Sequence, residues 1–275
     1  MHMNNENDIR IEAEKFLYDH LTISEPTALT FPPHSHDTCE ILMILRGDLS
    51  YIVEGRVYKL KRGDIVLSRP SIFHCIRHDS AEQYERYNVV FDEKRMPKTV
   101  ISAIPKDIDV FRLEDYEHIA ELFEKIDYYS TRFSGEALVR IAQHLIEEVV
   151  YNLAISETKN RDATVNRLVD KAVSYIQENL TTIKNIGEIC DALYITKSHL
   201  HHIFIKNIQM SPKQYIISKR LMKARKLIRR GAKPTEIFSD CGFDDYTTFF
   251  RNYKKHFGRS PSEESESVSR MEIQS

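Results

Sequence analysis

Between about residues 29 and 91, the hydrophobic residues occur in short runs separated by turn signals. The runs "CEILMIL", "LSYIVEG", "VYKL", "DIVLS" and "YNVVF" are rich in Ile, Val and Tyr. Gly or Pro signals such as "RGD", "KRGD" and "RPS" interrupt them every 8–12 residues. Short strands with this spacing are typical of an antiparallel sandwich or barrel. Within it, "VEGRVY" predicts a tight hairpin.

After about residue 114 the hydrophobic spacing becomes that of α-helices. A first stripe at i, i+3, i+4 and i+7 comprises Ile119, Leu122, Phe123 and Ile126. A second, after a candidate N-cap at Ser134, comprises Leu138, Ile141, Leu145, Val149 and Leu153. These stripes predict two amphipathic helices, which either pack on the β segments or form a dimer face. The polar stretch "SETKNRDAT" then predicts an interdomain linker.

A weak internal repeat organises the C-terminal part of the chain. "IGEICDALYIT" (186–196) and "PTEIFSDCGFD" (234–244) align at an offset of 48 residues, and the segments after them align at an offset of 49. Each unit predicts a short helix, a tight turn and a second, cationic helix with Thr196 or Asp244 as its N-cap. This is the helix-turn-helix layout, in which the second helix enters the major groove of DNA.

A single longer helix is predicted between the two units. The segment "SPKQYIISKRLMKARKLIRRG" favours a helix of about 19 residues that begins after Pro212 and stops at Gly231. Its length is roughly 28 Å, from about 1.5 Å per residue. This approaches the roughly 34–36 Å of one DNA turn, so two recognition helices held at that separation would fit successive major grooves.

Charge is distributed unevenly along the 275 residues. Residues 1–165 carry 20 basic and 29 acidic side chains, residues 166–261 carry 18 and 8, and residues 262–275 carry 1 and 4. A basic domain beside an acidic one is typical of a nucleic-acid-binding domain attached to a domain with another role. The four cysteines have no CxxC spacing, and there is no long apolar run or signal sequence, which favours a cytoplasmic protein that does not bind membranes.

The basic segment resembles the AraC/XylS family of bacterial transcription regulators. The resemblance covers about 166–261 and rests on "LHHIFIKNIQMSPKQYI", "RLMKARKLI" and "GFDDYTTFFRNYKKHFGRSP". These segments carry the family's pattern of Pro212, Tyr215, Arg220, Ala224, Gly242, Phe243, Phe249, Arg251, Phe257, Gly258 and Pro261. Three positions depart from the pattern: Gln209 stands where the family usually has Gly, His202 where Arg is common, and Phe250 where a small polar residue is frequent. These departures concern base preference rather than the fold.

Residues 29–91 resemble the cupin sensor domain that many members of this family carry at the N-terminus. This second resemblance rests on the "HSHxxxE" segment, Gly47, Gly63, Pro70 and His74. Together the two resemblances imply an α+β protein. The expected parts are a cupin-like β-barrel that senses an effector (1–113), supporting or dimerisation helices (114–155), a linker (156–165), an all-α domain of two helix-turn-helix motifs joined by a long helix (166–261) and a disordered tail (262–275).

The "HSHxxxE" segment supplies the candidate effector contacts. In a β-strand His34, His36 and Glu40 would share one face because even numbers separate them. His74 would join them from another strand. Histidine nitrogens and a carboxylate also suit zinc, iron, manganese or nickel, and the spacing matches the metal motif of enzymatic cupins, in which three His and one Glu bind the ion.

The second cupin motif departs from that metal pattern. Residues 71–73 lack the Gly normally found between Pro70 and His74. We therefore expect the four residues to contact the effector without a metal and expect no cofactor. A bound divalent metal and a purely structural cluster are the two alternatives.

The second helix of each repeat unit supplies the candidate DNA contacts. Base contacts are expected from Ser198, His201 and His202 in the first unit and from Tyr246, Thr247, Phe250 and Arg251 in the second. Arg251 is the foremost candidate for a base contact because a guanidinium binds guanine O6 and N7 as a fork. The alternative for an exposed Arg is a surface salt bridge. Phosphate contacts are expected from Lys197, Lys206, Lys254 and Lys255.

These features predict a sequence-specific, DNA-binding transcription regulator that is not an enzyme. Its barrel would sense a small molecule, for which a sugar is the class that the family resemblance favours. The expected partners are promoter DNA, the effector, a second copy of the chain and RNA polymerase. The alternative function is a metal-dependent cupin enzyme with an accessory DNA-binding domain. An RNA-binding scaffold is disfavoured because the narrow A-form major groove does not admit helices.

Overall fold

The structure is a computed structural model that describes residues 8–27, 30–156 and 163–266. The chain divides into two compact units at the bond between Thr164 and Val165. The N-terminal unit is rich in strands and the C-terminal unit is helical, which confirms the predicted α+β class. The strands are β1 (Ile9–Ala13), β2 (Phe16–Ile23), β3 (Cys39–Arg46), β4 (Leu49–Val53), β5 (Arg56–Lys59), β6 (Ile65–Ser68), β7 (His74–His78), β8 (Tyr84–Phe91), β9 (Val110–Phe111) and β10 (Thr164–Val165).

Two sheets form the N-terminal unit. One has the strand order β1-β2-β8-β3-β6-β9 and the other the order β10-β5-β4-β7. The predicted hairpin joins β4 to β5 through Glu54 and Gly55, with φ of 46° and 83°. Strands β1 and β2 precede residue 29, where the prediction began. Charged residues interrupt the hydrophobic alternation of both strands, so the sequence pattern did not predict them.

The central strand β3 is buried on both faces. Leu42 and Ile44 pack with β4 residues of the other sheet in the core between the two sheets. Ile41 and Met43 point the other way and pack against the helices of this unit. Alternate side chains of a strand lie on opposite faces, so the continuous run "ILMIL" serves two cores at once.

Three helices cover the outer face of the six-stranded sheet: α1 (Lys98–Ala103), α2 (Tyr116–Ser130) and α3 (Gly135–Ile155). Helices α2 and α3 are the two that the hydrophobic stripes predicted, and Ser134 is the N-cap of α3. The stripe of α2 is buried throughout and packs in the same core as β3. Helix α1 was not predicted.

The C-terminal unit contains both predicted helix-turn-helix motifs. Its helices are α4 (Arg167–Glu178), α5 (Ile186–Leu193), α6 (Lys197–Ile208), α7 (Pro212–Ile228), α8 (Pro234–Ile237), α9 (Tyr246–Phe257) and a helical segment at 261–266. Thr196 caps α6 as predicted, accepting a hydrogen bond from the backbone N–H of His199. The cap of α9 is Asp245, one residue after the predicted Asp244, and it accepts from the N–H of Thr248.

Two segments predicted to be irregular are partly ordered. In the predicted linker 156–165, Thr164–Val165 forms strand β10, and residues 157–162 lie outside the described residues. In the predicted disordered tail 262–275, residues 262–266 are helical, and residues 267–275 lie outside the described residues. Buried ion pairs explain the helical part, because Oε1 of Glu264 lies 3.3 Å from Nε of Arg225 and 2.5 Å from Nε of Arg229.

Candidate effector site and DNA-binding surface

Backbone pairing brings the candidate effector residues together. The backbone N–H groups of His34 and His74 each donate to the other residue's carbonyl oxygen, at 3.1 Å. The N–H of Ser71 donates to the carbonyl of His36 at 2.7 Å. Only Glu40 of the "HSHxxxE" segment lies inside a strand, so the expectation that one strand face carries all three is wrong. A loop paired with residues 71–74 delivers the two histidines instead.

Between Pro70 and His74, where the second cupin motif usually has Gly, the backbone turns at Ser71. Its φ is 66°, in the left-handed region that favours glycine. The backbone therefore adopts the turn without glycine, and His74 still reaches the cluster.

In the four-residue cluster of His34, His36, Glu40 and His74, three imidazole Nε2 atoms face one carboxylate oxygen. The distances to Oε2 of Glu40 are 3.9 Å from His34, 3.1 Å from His36 and 2.9 Å from His74. The three rings also lie close together, with centroids 4.5–5.7 Å apart. The side chains of His74 and Glu40 are 2% and 9% exposed, whereas that of His34 is 45% exposed, so the cluster is open on one side.

The opposite ring nitrogens are fixed by the backbone. Nδ1 lies 2.9 Å from the carbonyl oxygen of Pro32 in His34, of Thr38 in His36 and of Ile72 in His74. A carbonyl oxygen only accepts hydrogen bonds, so Nδ1 is the donor and carries the proton of each neutral ring. Nε2 of each ring faces Glu40, and a hydrogen bond from His36 or His74 to this carboxylate forms when both ring nitrogens carry protons.

Glu40 is the negative centre of the cluster. Burial alone would raise the pKa of its carboxyl group, but hydrogen bonds from His36 and His74 and the charges of these rings hold that pKa well below its usual range. Burial, with the neighbouring charge of His74, lowers the pKa of His34. The cluster thus combines a buried carboxylate with three imidazoles, and the four potential ligand atoms lie within 4.8 Å of one another.

The sequence analysis missed a second set of buried polar side chains, which we call the Arg86 group: Asp19, His78, Tyr84, Arg86 and Asn88. All five are less than 9% exposed. Nδ2 of Asn88 donates to Oδ2 of Asp19 at 2.9 Å, and Nη2 of Arg86 lies 3.5 Å from Oδ1 of Asp19. Each of the five still has at least one buried polar atom without a hydrogen-bond partner among the described residues.

The Arg86 group adjoins the four-residue cluster inside the sandwich. Asn88 pairs with Leu42 and Val90 with Glu40 in the ladder between β8 and β3. Glu40 and Asn88 are therefore diagonal neighbours on the face that Leu42 turns toward the inter-sheet core, and such neighbours are roughly 7–8 Å apart. The ring of Phe31 lies 4.8 Å from Cζ of Arg86 and covers the guanidinium.

A weak sequence signal marked part of the Arg86 group. Tyr84, Arg86 and Asn88 occupy alternate positions of "YERYNVVF" and so share one face of β8. Charged and amide side chains at inward positions of a strand are unusual because burial without full hydrogen bonding is costly.

The predicted base-contact residues lie on α6 and α9, the second helices of their motifs. Ser198, His201, His202, Thr247 and Arg251 are exposed, as are the four lysines expected at phosphates, while Tyr246 and Phe250 are half-buried and contact each other. Arg251 forms no ion pair with another described residue, although the pKa of Asp245 is lowered by hydrogen bonds from Thr248 and, to a smaller extent, by the charge of Arg251. The opposite faces hold buried residues such as Leu200 and Phe249.

Gln209, which stands where the family usually has Gly, lies in the turn between the first motif and α7. Gln209 is the C-cap of α6 with φ of 63°, in the left-handed region. A residue with a Cβ atom is less favourable there than glycine, yet the turn is kept.

Family models match both units of the chain. Residues 21–154 match the model described as an AraC-like ligand binding domain. Residues 189–267 match a model described as a helix-turn-helix domain.

Individual proteins resemble most of the chain. The HTH-type transcriptional activator RhaS of Escherichia fergusonii is 23% identical over 250 residues, covering 85% of this chain and 87% of that protein. The lactose operon transcription activator of Staphylococcus xylosus is 25% identical over 227 residues, covering 80% and 81%. Among solved structures, ToxT from Vibrio cholerae is 15% identical, and the match covers 93% of this chain and 98% of the ToxT chain with a TM-score of 0.36.

In the part of the chain that the structure describes, no helix is both long and apolar enough to cross a membrane.

Proposed function

Because this chain belongs to the AraC family of transcription regulators, we propose that it controls transcription in response to a small molecule bound between the two sheets of its N-terminal unit. The matched domains and relatives are regulators and not enzymes, so a metal-dependent cupin enzyme is set aside. Three features remain to be assigned: the residues that take the effector, the chemical class of the effector and the residues that read DNA.

The Arg86 group is the observation that carries the proposal. A buried polar atom without a partner costs free energy comparable to a lost hydrogen bond. Five such side chains converge inside the unit that matches a ligand-binding domain. A bound molecule with several hydrogen-bonding groups would satisfy them together, and the adjoining cluster of His34, His36, Glu40 and His74 would complete the effector site.

A sugar is the effector class that we propose. Its hydroxyl groups both donate and accept, which matches a set that mixes the donor Nε of Arg86 with acceptor oxygens of Asp19 and Asn88. The ring of Phe31 offers an apolar surface against the same guanidinium. The name of one relative refers to the lactose operon, which is compatible with this class.

On the DNA side, we propose that α6 and α9 enter the major groove of promoter DNA in the cytoplasm. Arg251 and the exposed polar side chains of both helices would contact bases, and the lysines would contact phosphates. We further propose a homodimer through the outer faces of α2 and α3, where Tyr128, Tyr151 and Ile155 are exposed, and RNA polymerase as the partner of the DNA-bound form.

The test of effector binding compares two arginines. Calorimetric titration of the full chain with a panel of mono- and disaccharides should identify a binding sugar. Arg86→Met should abolish that binding, whereas Arg10→Met, on the exposed face of β1, should leave it unchanged. If no sugar binds, or if Arg86→Met binds as the wild type does, the effector assignment fails.

A reporter assay then tests coupling. We expect His36→Gln, Glu40→Gln and Arg86→Met to lose the response to the sugar and to keep basal binding of promoter DNA, because these residues lie in a different unit from every proposed base contact. A normal sugar response in all three variants would contradict the proposed site.

A further inference from the structure

We propose that Tyr194, in the turn of the first helix-turn-helix motif, donates a hydrogen bond from its hydroxyl group to the phosphate backbone of DNA beside the recognition helix α6. This inference rests on the proposed entry of α6 into the major groove. Three observations support it: the left-handed backbone of this tyrosine, the residue that stands at the same position of the second motif and the exposure of the tyrosine ring.

The backbone of Tyr194 has a conformation that favours glycine. Tyr194 is the C-cap of α5, and its φ and ψ are 54° and 45°. A residue with a Cβ atom adopts this left-handed region only at a cost in free energy, and a bulky side chain is rare there. Five of the described residues that are not glycine have a positive φ, and Tyr194 is the only aromatic residue among these five. Local backbone preference therefore does not explain a tyrosine at this position.

The second motif has glycine at the equivalent position of the same turn. The offset of 48 residues pairs Tyr194 with Gly242, whose φ is 87°. The N–H of each residue donates to the carbonyl oxygen three positions earlier, at 3.3 Å for Tyr194 and 2.8 Å for Gly242. The N–H of the residue that follows each of them donates five positions back, at 3.0 and 3.1 Å. The same turn therefore forms with glycine or with tyrosine.

The ring of Tyr194 contributes little to the stability of its own unit. Tyr194 is 95% exposed, whereas the four other tyrosines of the C-terminal unit are buried or half-buried. So exposed a ring removes almost no apolar surface from water, and burial does not offset the backbone strain. Residues held in strained conformations occur preferentially at functional sites. The strain and the exposure together indicate that the ring serves binding.

The place of Tyr194 in the motif indicates the DNA backbone as the partner. Helix α6 begins at the exposed Lys197, three residues after Tyr194. In a helix-turn-helix motif the N-terminal end of the second helix contacts bases, and the first helix crosses the backbone. The turn between the two helices therefore lies close to phosphates. Tyrosine hydroxyl groups are among the side-chain groups that bind phosphate oxygens.

DNA binding is measured with the full chain and a duplex that the wild-type protein selects from random-sequence DNA. Tyr194→Phe, which lacks only the hydroxyl group, and Tyr194→Gly should both weaken binding by about tenfold, the scale of a lost hydrogen bond to a charged group. The loss should be equal on the selected duplex and on unrelated DNA, because a phosphate contact carries no sequence information. The dependence of affinity on salt should not change, since a neutral hydroxyl group releases no counterions.

Thermal unfolding separates a DNA contact from a structural role. Tyr194→Gly should unfold at the wild-type temperature or above it, because glycine relieves the backbone strain. Gln209→Gly is the matched control, since Gln209 also has a left-handed φ, of 63°, but lies at the C-terminal end of α6. This control should likewise keep or raise the unfolding temperature, and it should bind DNA as the wild type does.

Four results would overturn the proposal. Equal DNA affinity of wild type, Tyr194→Phe and Tyr194→Gly would exclude the contact, and a reporter defect in such variants would assign Tyr194 to a protein partner. A loss of affinity in Tyr194→Gly alone would exclude the hydroxyl group, and a loss confined to the selected duplex would indicate base readout. A lowered unfolding temperature of Tyr194→Gly would indicate a structural role.

Failure of the proposed DNA-binding function is recognised separately. A wild-type protein that selects no duplex would contradict that function and this inference with it. A wild-type protein that selects a duplex which the Tyr194 variants bind equally well would overturn this inference and leave the DNA-binding function standing.

Discussion

A Cβ atom added to Gly242 would lie 2.7 Å from Nε of Arg220 and 3.0 Å from Cα of Thr181. Arg220 donates hydrogen bonds to the carbonyl oxygens of Leu180 and Ile183, at 2.8 and 2.6 Å. One guanidinium on α7 therefore binds the segment that precedes the first helix-turn-helix motif, and the turn of the second motif packs directly against it. The two motifs are joined through this arginine as well as along α7.

Replacing Gly242 tests that junction, with Gly231 as the matched control. Both glycines have left-handed φ, of 87° and 91°, but a Cβ on Gly231 would meet nothing within 4 Å. We expect Gly231→Ala to lose about 1–2 kcal/mol of unfolding free energy from the backbone alone. Gly242→Ala should lose roughly 1–3 kcal/mol more because Arg220 must move. Equal losses in urea unfolding would show that the contact is unimportant.

Arg251 and Lys254 should differ in how their loss affects DNA binding. Arg251→Ala should lose about 1–3 kcal/mol on the preferred site and relax selectivity at one base pair, since the base contact is removed. Lys254→Ala should weaken binding to all sequences alike and reduce the salt slope by about 1. Titrations against a library of single-base operator variants measure both effects. The same lack of sequence preference in both variants would refute base readout by Arg251.

The helical segment at 261–266 should stabilise the second motif through Glu264. This carboxylate is 1% exposed and pairs with Arg225 and Arg229. Glu264→Gln should lose about 1–3 kcal/mol of unfolding free energy, less than a fully buried pair would because Arg229 is partly exposed. Glu236→Gln, at an exposed pair on α8, should lose less than about 1 kcal/mol. Urea unfolding measures both variants. A Glu264→Gln variant as stable as the wild type would contradict a structural role for Glu264.

A histidine, His20, joins α2 to the sheet. Nδ1 of His20 lies 2.7 Å from Asp127 and Nε2 lies 3.2 Å from Glu85. Tyr18 also bonds to Asp127, and the ring of Tyr87 packs on the imidazole. Burial lowers the pKa of His20, but the hydrogen bonds and charges of the two carboxylates outweigh it and raise that pKa above 6.5.

The raised pKa of His20 sets the sign of the pH effect. The protonated ring stabilises the folded state fully below the unfolded pKa of about 6.5, and this stability is lost as the pH rises through the higher folded-state pKa. The difference in unfolding free energy between wild type and His20→Gln should therefore shrink as the pH rises above about 6.5. His118→Gln should show no such trend. A difference that grows with pH would contradict the assignment.

The C-terminal unit should fold and bind DNA by itself. A fragment from about residue 164 to the end of the chain begins at the division between the two units. Its residues 166–261 carry 18 basic and 8 acidic side chains. We expect a helical fragment whose DNA affinity falls steeply with salt, because each neutralised phosphate releases counterions. A folded fragment with salt-independent DNA binding would be contrary to this expectation.

The sequence by itself determined the elements whose signals are local. The hydrophobic stripe of α2 recurs every three or four residues along the chain, and Thr196 immediately precedes the helix that it caps. The repeat at 186–196 and 234–244 identified both helix-turn-helix motifs for the same reason. Which face of a helix is buried depends on a period of 3.6 residues, and this can be read without knowing what covers that face.

Only the tertiary structure decided the pairings between distant segments. Asp19 meets Asn88 because β2 pairs with β8, and this register brings together residues 69 positions apart. Likewise, Glu264 reaches α7 from beyond the last predicted helix. A strand's alternation shows which residues share a face, whereas the partner strand and its register depend on the packing of the whole sheet. The residue types of the four-residue cluster were therefore visible in the sequence, but the loop that delivers its histidines and the Arg86 group beside it were not.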